Sequence, residues 1–452
     1  MEPYDLTIMQ AVHQIQARKL SAVELVQSFL DRIQEVEPSV GAWETLDAEG
    51  ALAVARRCDS ASQTARQSAL LHGIPLGIKD IFYTRGIRTA AGFPPFADFI
   101  PDRDATAVGM LRAAGAIILG KTVTTQFAQF DPAETRNPWD LERTPGGSSS
   151  GSAAAVATRM VPGALGSQTG GSTLRPAGYC GVVGFKPTYG RISCYGVLPA
   201  AWSLDHVGII VRSVEDAALL LQVLAGYDSK DPASARRPVP RYVDGLTGSA
   251  RPPRLGLLAD FLAVAEPDVR AHALEVAAQL EQAGARVREV RLPVERATVL
   301  AVHHVIMQSE TAAAHAQLHR QYPEAYRPKL RASIEVGQLI PAAAYVHAQR
   351  VRRRIRSEVD RLLRGLDGLL APAAPNLPPD LSTTGDASFQ SPWSLVGLPA
   401  ISIPTGLSDA GLPFATQVVG QRFAEQALLR LACWCEGTLL PGGLRWARPA
   451  KA

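Results

Sequence analysis

The stretch from Thr144 to Arg191 constrains this chain most, because glycine and serine are too frequent there for packing to be its whole purpose. Glycine lets a backbone adopt positive φ and approach a ligand closely, and serine supplies small hydroxyl groups. Two Gly-Gly-Ser turns, at 146–148 and 170–172, stand on either side of a run of small apolar helix formers. We therefore expect these two turns to carry chemistry.

Upstream of this stretch, Lys79 ends the apolar segment 74–78. A lysine there is expensive to bury as a cation, so it either points outward or has a neutral and useful amine. Neutrality requires its unperturbed pKa of about 10.4 to fall by several units, and desolvation at an apolar strand end favours such a fall. A neutral lysine can take the proton that a serine hydroxyl must lose to become a nucleophile.

Together, Lys79, Ser148 and Ser172 resemble the Ser–cis-Ser–Lys triad of the amidase signature family of serine hydrolases. Later motifs extend the resemblance in the family's order, namely CGVVGFKPTYGRIS, SLDHVGIIVRSVEDAALLL, LLAPAAP and GLPAISIPTG. The resemblance covers most of the chain apart from roughly residues 230–365. It implies that Ser172 attacks a carbonyl carbon, while Ser148 relays the proton to Lys79 and later delivers one to the leaving amine.

The resemblance also implies an oxyanion hole built from the backbone N–H groups of Thr169, Gly170, Gly171 and Ser172. Ser149 is expected to support the triad through a hydrogen bond. No metal and no cofactor are required by this chemistry.

Two residues depart from the commonest family pattern. Gln168 stands where many members have aspartate, and Arg175 lies three positions after Ser172 instead of two. This variant looks like the malonamidase-like branch, in which the equivalent arginine can anchor a substrate carboxylate. A structural ion pair is an equally open alternative for Arg175. Phe130 and Trp202 are candidates to line an acyl pocket, with core packing as the alternative for each.

Helices alternate with short apolar strands, which predicts an α/β fold. The resemblance implies the amidase signature fold, a mixed, largely parallel β-sheet covered by helices on both faces. We expect a single domain over residues 1–452, with the signature core at 70–225 and a variable, mostly helical, cap-like region at 230–365. Returning strands and a C-terminal helix are expected at 366–452.

Composition adds limits on location and partners. The net charge of +4 is too mild to argue for nucleic acid or a membrane surface. Five cysteines, an odd number without zinc-type spacing, favour reduced thiols, and the N-terminal MEPYDLTIMQ shows no secretory signal. These observations predict a cytoplasmic monomer or homodimer that acts without nucleic acid or membrane.

Three other patterns are given structural interpretations. Residues 115–122 match a phosphate-binding P-loop, but their apolar middle is typical of a strand. His315 and His319 have a zinc-like spacing without the catalytic glutamate, and a polar helix face is the default. Seven arginines lie within 350–364 beside an apolar stripe, which predicts a solvated amphipathic helix.

The function predicted from these residues is hydrolysis of a carbon–nitrogen bond in a small molecule, an amide or a carbamate, by a stand-alone amidase. The alternative is the A subunit of a glutamine-dependent tRNA amidotransferase, which hydrolyses glutamine and passes ammonia to a partner. Gln168, Arg175 and the divergent middle region argue against this alternative.

Overall fold

The computed structural model describes residues 2–246 and 252–440, and a mixed sheet of eleven strands organises this part of the chain. In chain order the strands are β1 (Trp43–Leu46), β2 (Pro75–Lys79), β3 (Ile117–Thr122), β4 (Gly163–Gln168), β5 (Val183–Lys186), β6 (His206–Val211), β7 (Arg254–Leu258), β8 (Arg286–Val290), β9 (Gly368–Pro372), β10 (Ala400–Leu407) and β11 (Pro413–Val419). They lie side by side in the order β1-β3-β2-β4-β6-β5-β10-β11-β9-β7-β8.

The helices that flank this sheet in the described ranges are α1 (Ile8–Gln16), α2 (Ala22–Val40), α3 (Ala48–Ser60), α4 (Gln63–Ser68), α5 (Thr106–Ala113), α6 (Ser150–Ala157), α7 (Leu174–Tyr179), α8 (Val214–Leu224), α9 (Ala259–Leu262), α10 (Pro267–Gln282), α11 (Arg296–Gln321), α12 (Pro328–Leu339), α13 (Ala342–Leu362), α14 (Ser391–Val396) and α15 (Glu425–Leu439). The prediction of an α/β fold with a mixed, helix-covered sheet is confirmed. Parts of the predicted regions 230–365 and 366–452, namely residues 247–251 and 441–452, lie outside the described residues.

Parallel pairing places the key lysine. β2 pairs in parallel with β3 on one side and β4 on the other, whereas β4, β6, β5, β10, β11 and β9 pair antiparallel in turn. Ile78 pairs with Leu165, so the carboxyl ends of β2 and β4 lie at the same edge of the sheet. Lys79 comes directly after Ile78, and Ser167 comes two residues after Leu165. The two are therefore neighbours although they are far apart in sequence.

The P-loop pattern is part of the sheet. Residues 117–122 form β3, and Lys121 points into the core, where its Nζ lies 3.1 Å from Asp80 Oδ1 and donates to Thr89 Oγ1 at 2.7 Å. Burial lowers the pKa of Lys121 to about 8 while Asp80 opposes that shift. A strand with a buried, paired lysine offers no loop for phosphate, in agreement with the sequence interpretation.

The middle region packs on the signature core through α11. His303 Nε2 lies 3.1 Å from the carbonyl oxygen of Thr169, and Gln129 Nε2 donates to Thr311 Oγ1 at 3.1 Å. Glu310 accepts hydrogen bonds from the backbone and hydroxyl of Ser203, at 2.8 and 2.7 Å. The limits of this region as a separate cap stay a prediction.

None of the helices in the described ranges combines the length and the apolar character that a membrane crossing needs.

Candidate active site

Lys79 is the centre of a buried cluster of hydroxyl groups. Its Nζ lies 2.7 Å from Ser148 Oγ and 2.8 Å from Ser167 Oγ, and its side chain has no exposed surface. Desolvation holds the pKa of Lys79 well below its usual value, although the charge of Asp205 acts in the opposite direction. The amine thus lies within hydrogen-bond distance of Ser148 and has a lowered affinity for a proton.

The two Gly-Gly-Ser turns meet at this cluster. The peptide bond between Gly147 and Ser148 is cis, and the next residue, Ser149, donates its backbone N–H to the carbonyl oxygen of Ser172 at 3.3 Å. Ser148 is 1% exposed and Ser172 is 9% exposed. Of the two serines, Ser172 is therefore the more open to a ligand, and Ser148 lies on the side of the lysine.

Ser149 forms hydrogen bonds with Ser167, which is the second hydrogen-bond partner of Lys79. Its Oγ accepts from the backbone N–H of Ser167 at 3.2 Å and donates to the carbonyl oxygen of Ser167 at 3.3 Å. Ser167 was missed by sequence reasoning, because only the register between β2 and β4 brings it to Lys79. The sequence signal was limited to its place at the end of an apolar strand. Ser149 thus contacts the triad indirectly, through Ser167.

Four consecutive backbone N–H groups are open beside Ser172. Within the described residues, those of 169–172 donate to no acceptor. The next two, of Thr173 and Leu174, both donate to Gln168 Oε1 at 3.0 Å, and Gln168 Nε2 donates to Ser394 Oγ at 3.2 Å. Gln168 therefore caps α7, and the oxyanion hole at 169–172 stays a prediction that these unpaired donors allow.

The two glycines of this turn differ in the room around them. A methyl group added at Gly171 would lie 2.6 Å from Gln390 Oε1 and 3.2 Å from Ala387 Cβ, whereas its nearest neighbour at Gly170 would be Ser391 Oγ at 3.3 Å. Overpacking of this kind costs about 1–3 kcal/mol. We expect Gly171→Ala to lower amide hydrolysis about tenfold or more, and Gly170→Ala to have the smaller effect. Steady-state rates of the two variants test this order, and equal losses would contradict it.

The half-buried carboxylate of Asp205 fixes the start of the turn. Thr169 Oγ1 donates to Asp205 Oδ1 at 2.6 Å, and the backbone N–H groups of Ala200 and Ala201 also donate to this carboxylate. Burial raises the pKa of Asp205 to about 6, although these hydrogen bonds oppose the shift. Sequence reasoning assigned no role to Asp205, and the motif SLDHVG that contains it was the available signal.

Arg175 is occupied by backbone groups. Its guanidinium donates to the carbonyl oxygen of Gly147 at 2.7 Å, to that of Gly385 at 2.9 Å and to Thr384 Oγ1 at 3.2 Å. No carboxylate in the described part of the chain lies within the 4.0 Å of an ion pair. Burial lowers the pKa of Arg175. Within the described residues, Arg175 thus makes structural hydrogen bonds, and not the ion pair that was one of the two open alternatives.

The contacts of Arg175 predict a loss of stability when it is removed. Arg175→Met leaves the buried carbonyl oxygen of Gly147 and the partly buried one of Gly385 without donors, so we expect the free energy of unfolding to fall by about 3 kcal/mol. Urea unfolding of the variant measures this change. A carboxylate anchor would behave differently, because its removal would raise KM and leave the unfolding midpoint unchanged.

The two aromatic candidates are not gathered in one pocket. Phe130 is half-buried and packs against the hydrophobic cluster around Trp393 and Phe389. Trp202 is 48% exposed and lines a cavity of about 350 Å³, of which Asp205 forms part of the wall and Phe130 does not. Lining of an acyl pocket stays a prediction for both residues.

A buried lysine–serine pair and a more open serine lie together beside unpaired backbone donors, on a mixed α/β sheet. The chain belongs to the amidase family, since the profile described as Amidase matches residues 24–429.

Two curated relatives carry a more particular name. The chain is 39% identical to the A subunit of glutamyl-tRNA(Gln) amidotransferase from Geobacter sp. (strain M21), over 96% of this chain and 97% of the relative. It is 38% identical to the protein of the same name from Roseiflexus sp. (strain RS-1), over 95% of both chains.

Solved structures agree with the family. The A subunit of glutamyl-tRNA(Gln) amidotransferase from Thermotoga maritima superposes with a TM-score of 0.84 at 31% identity, over 99% of both chains. The peptide amidase of Stenotrophomonas maltophilia superposes with a TM-score of 0.85 at 29% identity, also over 99% of both chains.

These relatives correct two predictions. The predictions of a stand-alone small-molecule amidase and of a monomer or homodimer without nucleic acid are wrong, since the curated relatives are subunits of a tRNA amidotransferase. Gln168 and Arg175 do not argue against that alternative, because both make internal hydrogen bonds: Gln168 to the start of α7, and Arg175 to the carbonyl oxygens of Gly147 and Gly385. The middle region does not argue against it either, because the relatives align over nearly the whole chain.

Proposed function

We propose that this chain is the amide-hydrolysing subunit of a tRNA amidotransferase, which releases ammonia from the side chain of glutamine and passes it to a partner subunit. The observation that carries this proposal is the identity of 37–39% to the A subunits of such enzymes from several bacteria, over 96% of the chain. The geometry of the site supports the amide hydrolysis that such a subunit performs.

The hydrolysis begins at Ser172. Its Oγ forms a bond to the side-chain carbonyl carbon of glutamine, and its proton passes through Ser148 Oγ to Lys79 Nζ. The carbonyl oxygen becomes an oxyanion, which accepts hydrogen bonds from the open N–H groups of 169–172. The distance of 2.7 Å between Lys79 Nζ and Ser148 Oγ supports this route for the proton.

In the second half of the reaction, Lys79 gives up the proton that it accepted. The carbon–nitrogen bond breaks as Ser148 gives a proton to the leaving nitrogen and is reprotonated by Lys79, so ammonia departs and a glutamyl ester remains on Ser172. Water then attacks this ester and loses its proton along the same route. Glutamate is released, and Ser172 regains its hydroxyl hydrogen. Asp205 lowers the cost of the positive charge that Lys79 holds between these steps.

The proposal is tested in the complex. The chain is co-expressed with the partner subunits of its own organism, and glutamate release and amidation of glutamyl-tRNA are measured together. We expect both activities with glutamine as the nitrogen donor. Ammonium chloride should restore amidation, without glutamate release, when Ser172 is replaced by alanine. A complex that forms but hydrolyses no glutamine would refute the proposal.

A further inference from the structure

One helix face carries a dense set of cations that the active site does not use. On the outer side of α13 and just beyond it, five arginines are exposed: Arg350, Arg353, Arg354, Arg361 and Arg364. At 100° per residue the four positions on α13 fall within a sector of about 100°, and the 1.5 Å rise per residue spreads them over roughly 17 Å. They therefore form one straight stripe, which we call the arginine stripe.

The charge of the chain is concentrated here. Residues 350–364 contain seven arginines against Glu358 and Asp360, a formal charge of +5, whereas the whole chain has +4. The rest of the chain is thus close to neutral, at −1. Residues 342–357, which include most of the stripe, contain no acidic residue at all. The mild net charge of the protein therefore hides a strongly basic surface.

The first half of the stripe lacks partners within the described residues. Arg361 is paired with Glu358 at 2.7 Å, but no carboxylate in these ranges lies within ion-pair distance of Arg350, Arg353 or Arg354. Like charges held three and four residues apart on a helix repel one another. This repulsion lowers the stability of the free protein, and an anion bound beside the arginines reduces the repulsion.

The opposite face of α13 holds the stripe in place. Arg352 points inward, where its guanidinium donates to the carbonyl oxygens of Leu395 and Ser203 at 2.6 and 2.7 Å. Ile355 and Val359 are buried against the same side. The backbone of α13 is therefore held in place. Binding of an anion by its outward arginines needs little further ordering of the backbone.

We propose that the arginine stripe binds the phosphate backbone of RNA, namely the tRNA on which the complex acts. Guanidinium groups bind phosphate oxygens in pairs of hydrogen bonds, and a row of about 17 Å spans several phosphates of one strand. The choice of RNA over an acidic protein rests on the proposed function. The interpretation of this segment as only a solvated helix accounts for its apolar stripe but not for its unpaired arginines.

The test compares two variants of the full chain that lose the same charge. R350Q/R353Q/R354Q removes the unpaired half of the stripe, and binding of a fluorescein-labelled tRNA(Gln) transcript is followed by fluorescence anisotropy from 50 to 200 mM salt. We expect an affinity at least about tenfold weaker than that of the wild-type chain. The slope of log affinity against log salt should fall by about 2, since each lost phosphate contact removes about 0.7–0.9.

The matched control is R18Q/R56Q/R57Q, which removes three exposed arginines from the region of the N-terminal helices. It should bind the transcript within about threefold of the wild-type chain. Equal weakening in both variants, or none in the stripe variant, would overturn the inference. Displacement of the transcript by poly-L-glutamate as readily as by unlabelled RNA would assign the stripe to an acidic protein instead.

Glutamine hydrolysis separates this inference from the proposed function. The stripe variant, assayed in the co-expressed complex, should hydrolyse glutamine at the wild-type rate, because none of its three substitutions touches the site. Hydrolysis without stripe-dependent RNA binding would overturn only the inference. Stripe-dependent RNA binding in a chain that hydrolyses no glutamine would overturn only the proposed function. Thermal unfolding confirms that each variant is folded.

Discussion

Ser172→Ala is expected to lower glutamine hydrolysis by about four orders of magnitude or more while leaving the fold unchanged. The substitution removes the atom that forms the ester, and residues that act as a unit lose nearly all their effect together. The open N–H groups remain, so a small residual rate over water is expected. Glutamate release in the complex measures the loss, and a fluorophosphonate probe should label the wild-type chain but not the variant.

Ser149→Ala is the matched control for this prediction. Ser149 lies in a Gly-x-Ser-x-Gly pattern that in other hydrolases marks the nucleophile, but here its hydroxyl only braces the backbone of Ser167. We expect a loss of no more than about tenfold, the cost of one such hydrogen bond. Full loss of labelling in Ser149→Ala, with labelling retained in Ser172→Ala, would reverse the assignment.

Lys79→Met is expected to abolish catalysis and to stabilise the protein at neutral pH. The rate should fall by about 10³–10⁴ because the proton acceptor is gone. Stability should rise because the wild-type chain must keep this buried amine neutral, whereas the unfolded chain binds a proton there up to about pH 10.4. The paired measurements are glutamate release and thermal unfolding.

The sign of the pH dependence follows from the lowered pKa of Lys79. Between its folded and unfolded values the unfolded state binds more protons, so this group makes stability rise with pH by up to about 1.4 kcal/mol per unit. The advantage of Lys79→Met should therefore be largest near neutral pH and shrink towards pH 10. An advantage that does not change with pH would mean that Lys79 is charged in the folded protein.

Lys121→Met supplies the contrast, because both lysines are fully buried and their surroundings differ. Lys121 is paired with Asp80. Removal of Lys121 leaves this buried carboxylate without a partner, which lowers the free energy of unfolding by about 3–5 kcal/mol. Among the described residues, the hydrogen-bond partners of Lys79 are the hydroxyl groups of Ser148 and Ser167. We therefore expect opposite changes in unfolding free energy from the same substitution at the two sites. Destabilisation by both would contradict a neutral Lys79.

The sequence predicts best those site residues whose type alone indicates their chemistry. A lysine at the end of an apolar strand and two Gly-Gly-Ser turns identify Lys79, Ser148 and Ser172 as candidates, and the structure brings Lys79 and Ser148 into contact. Strands β7 and β11 have the short, mostly apolar runs that are typical of buried strands, whereas β8 is mostly exposed and rich in charged residues.

Sequence reasoning fails where the partner of a side chain lies far along the chain. Ser167 and Asp205 join the site through strand register and a returning loop, neither of which leaves a local pattern. Gln168 and Arg175 have the residue types of substrate contacts, but their partners are backbone groups around 173 and 385. The residue type is visible in the sequence, and the group that it binds is not.

The same limit explains the error in function. A lysine–serine relay and an oxyanion hole serve glutamine, peptides and other amides alike, so the residues that carry the chemistry do not select the substrate.

Helix α11 contacts both groups that hold the turn at 169–172 in place. The position of this helix therefore affects when the turn is correctly formed. His303 lies against the Thr169 carbonyl, and seven residues further along the same face Glu310 holds Ser203, beside the loop that supplies Asp205. Because a helix moves as a rigid rod, a small axial displacement would shift both supports at once. Ammonia that escapes before its acceptor is ready is wasted. If the chain releases ammonia as proposed, a docked partner that sets the position of this helix would decide when hydrolysis can begin.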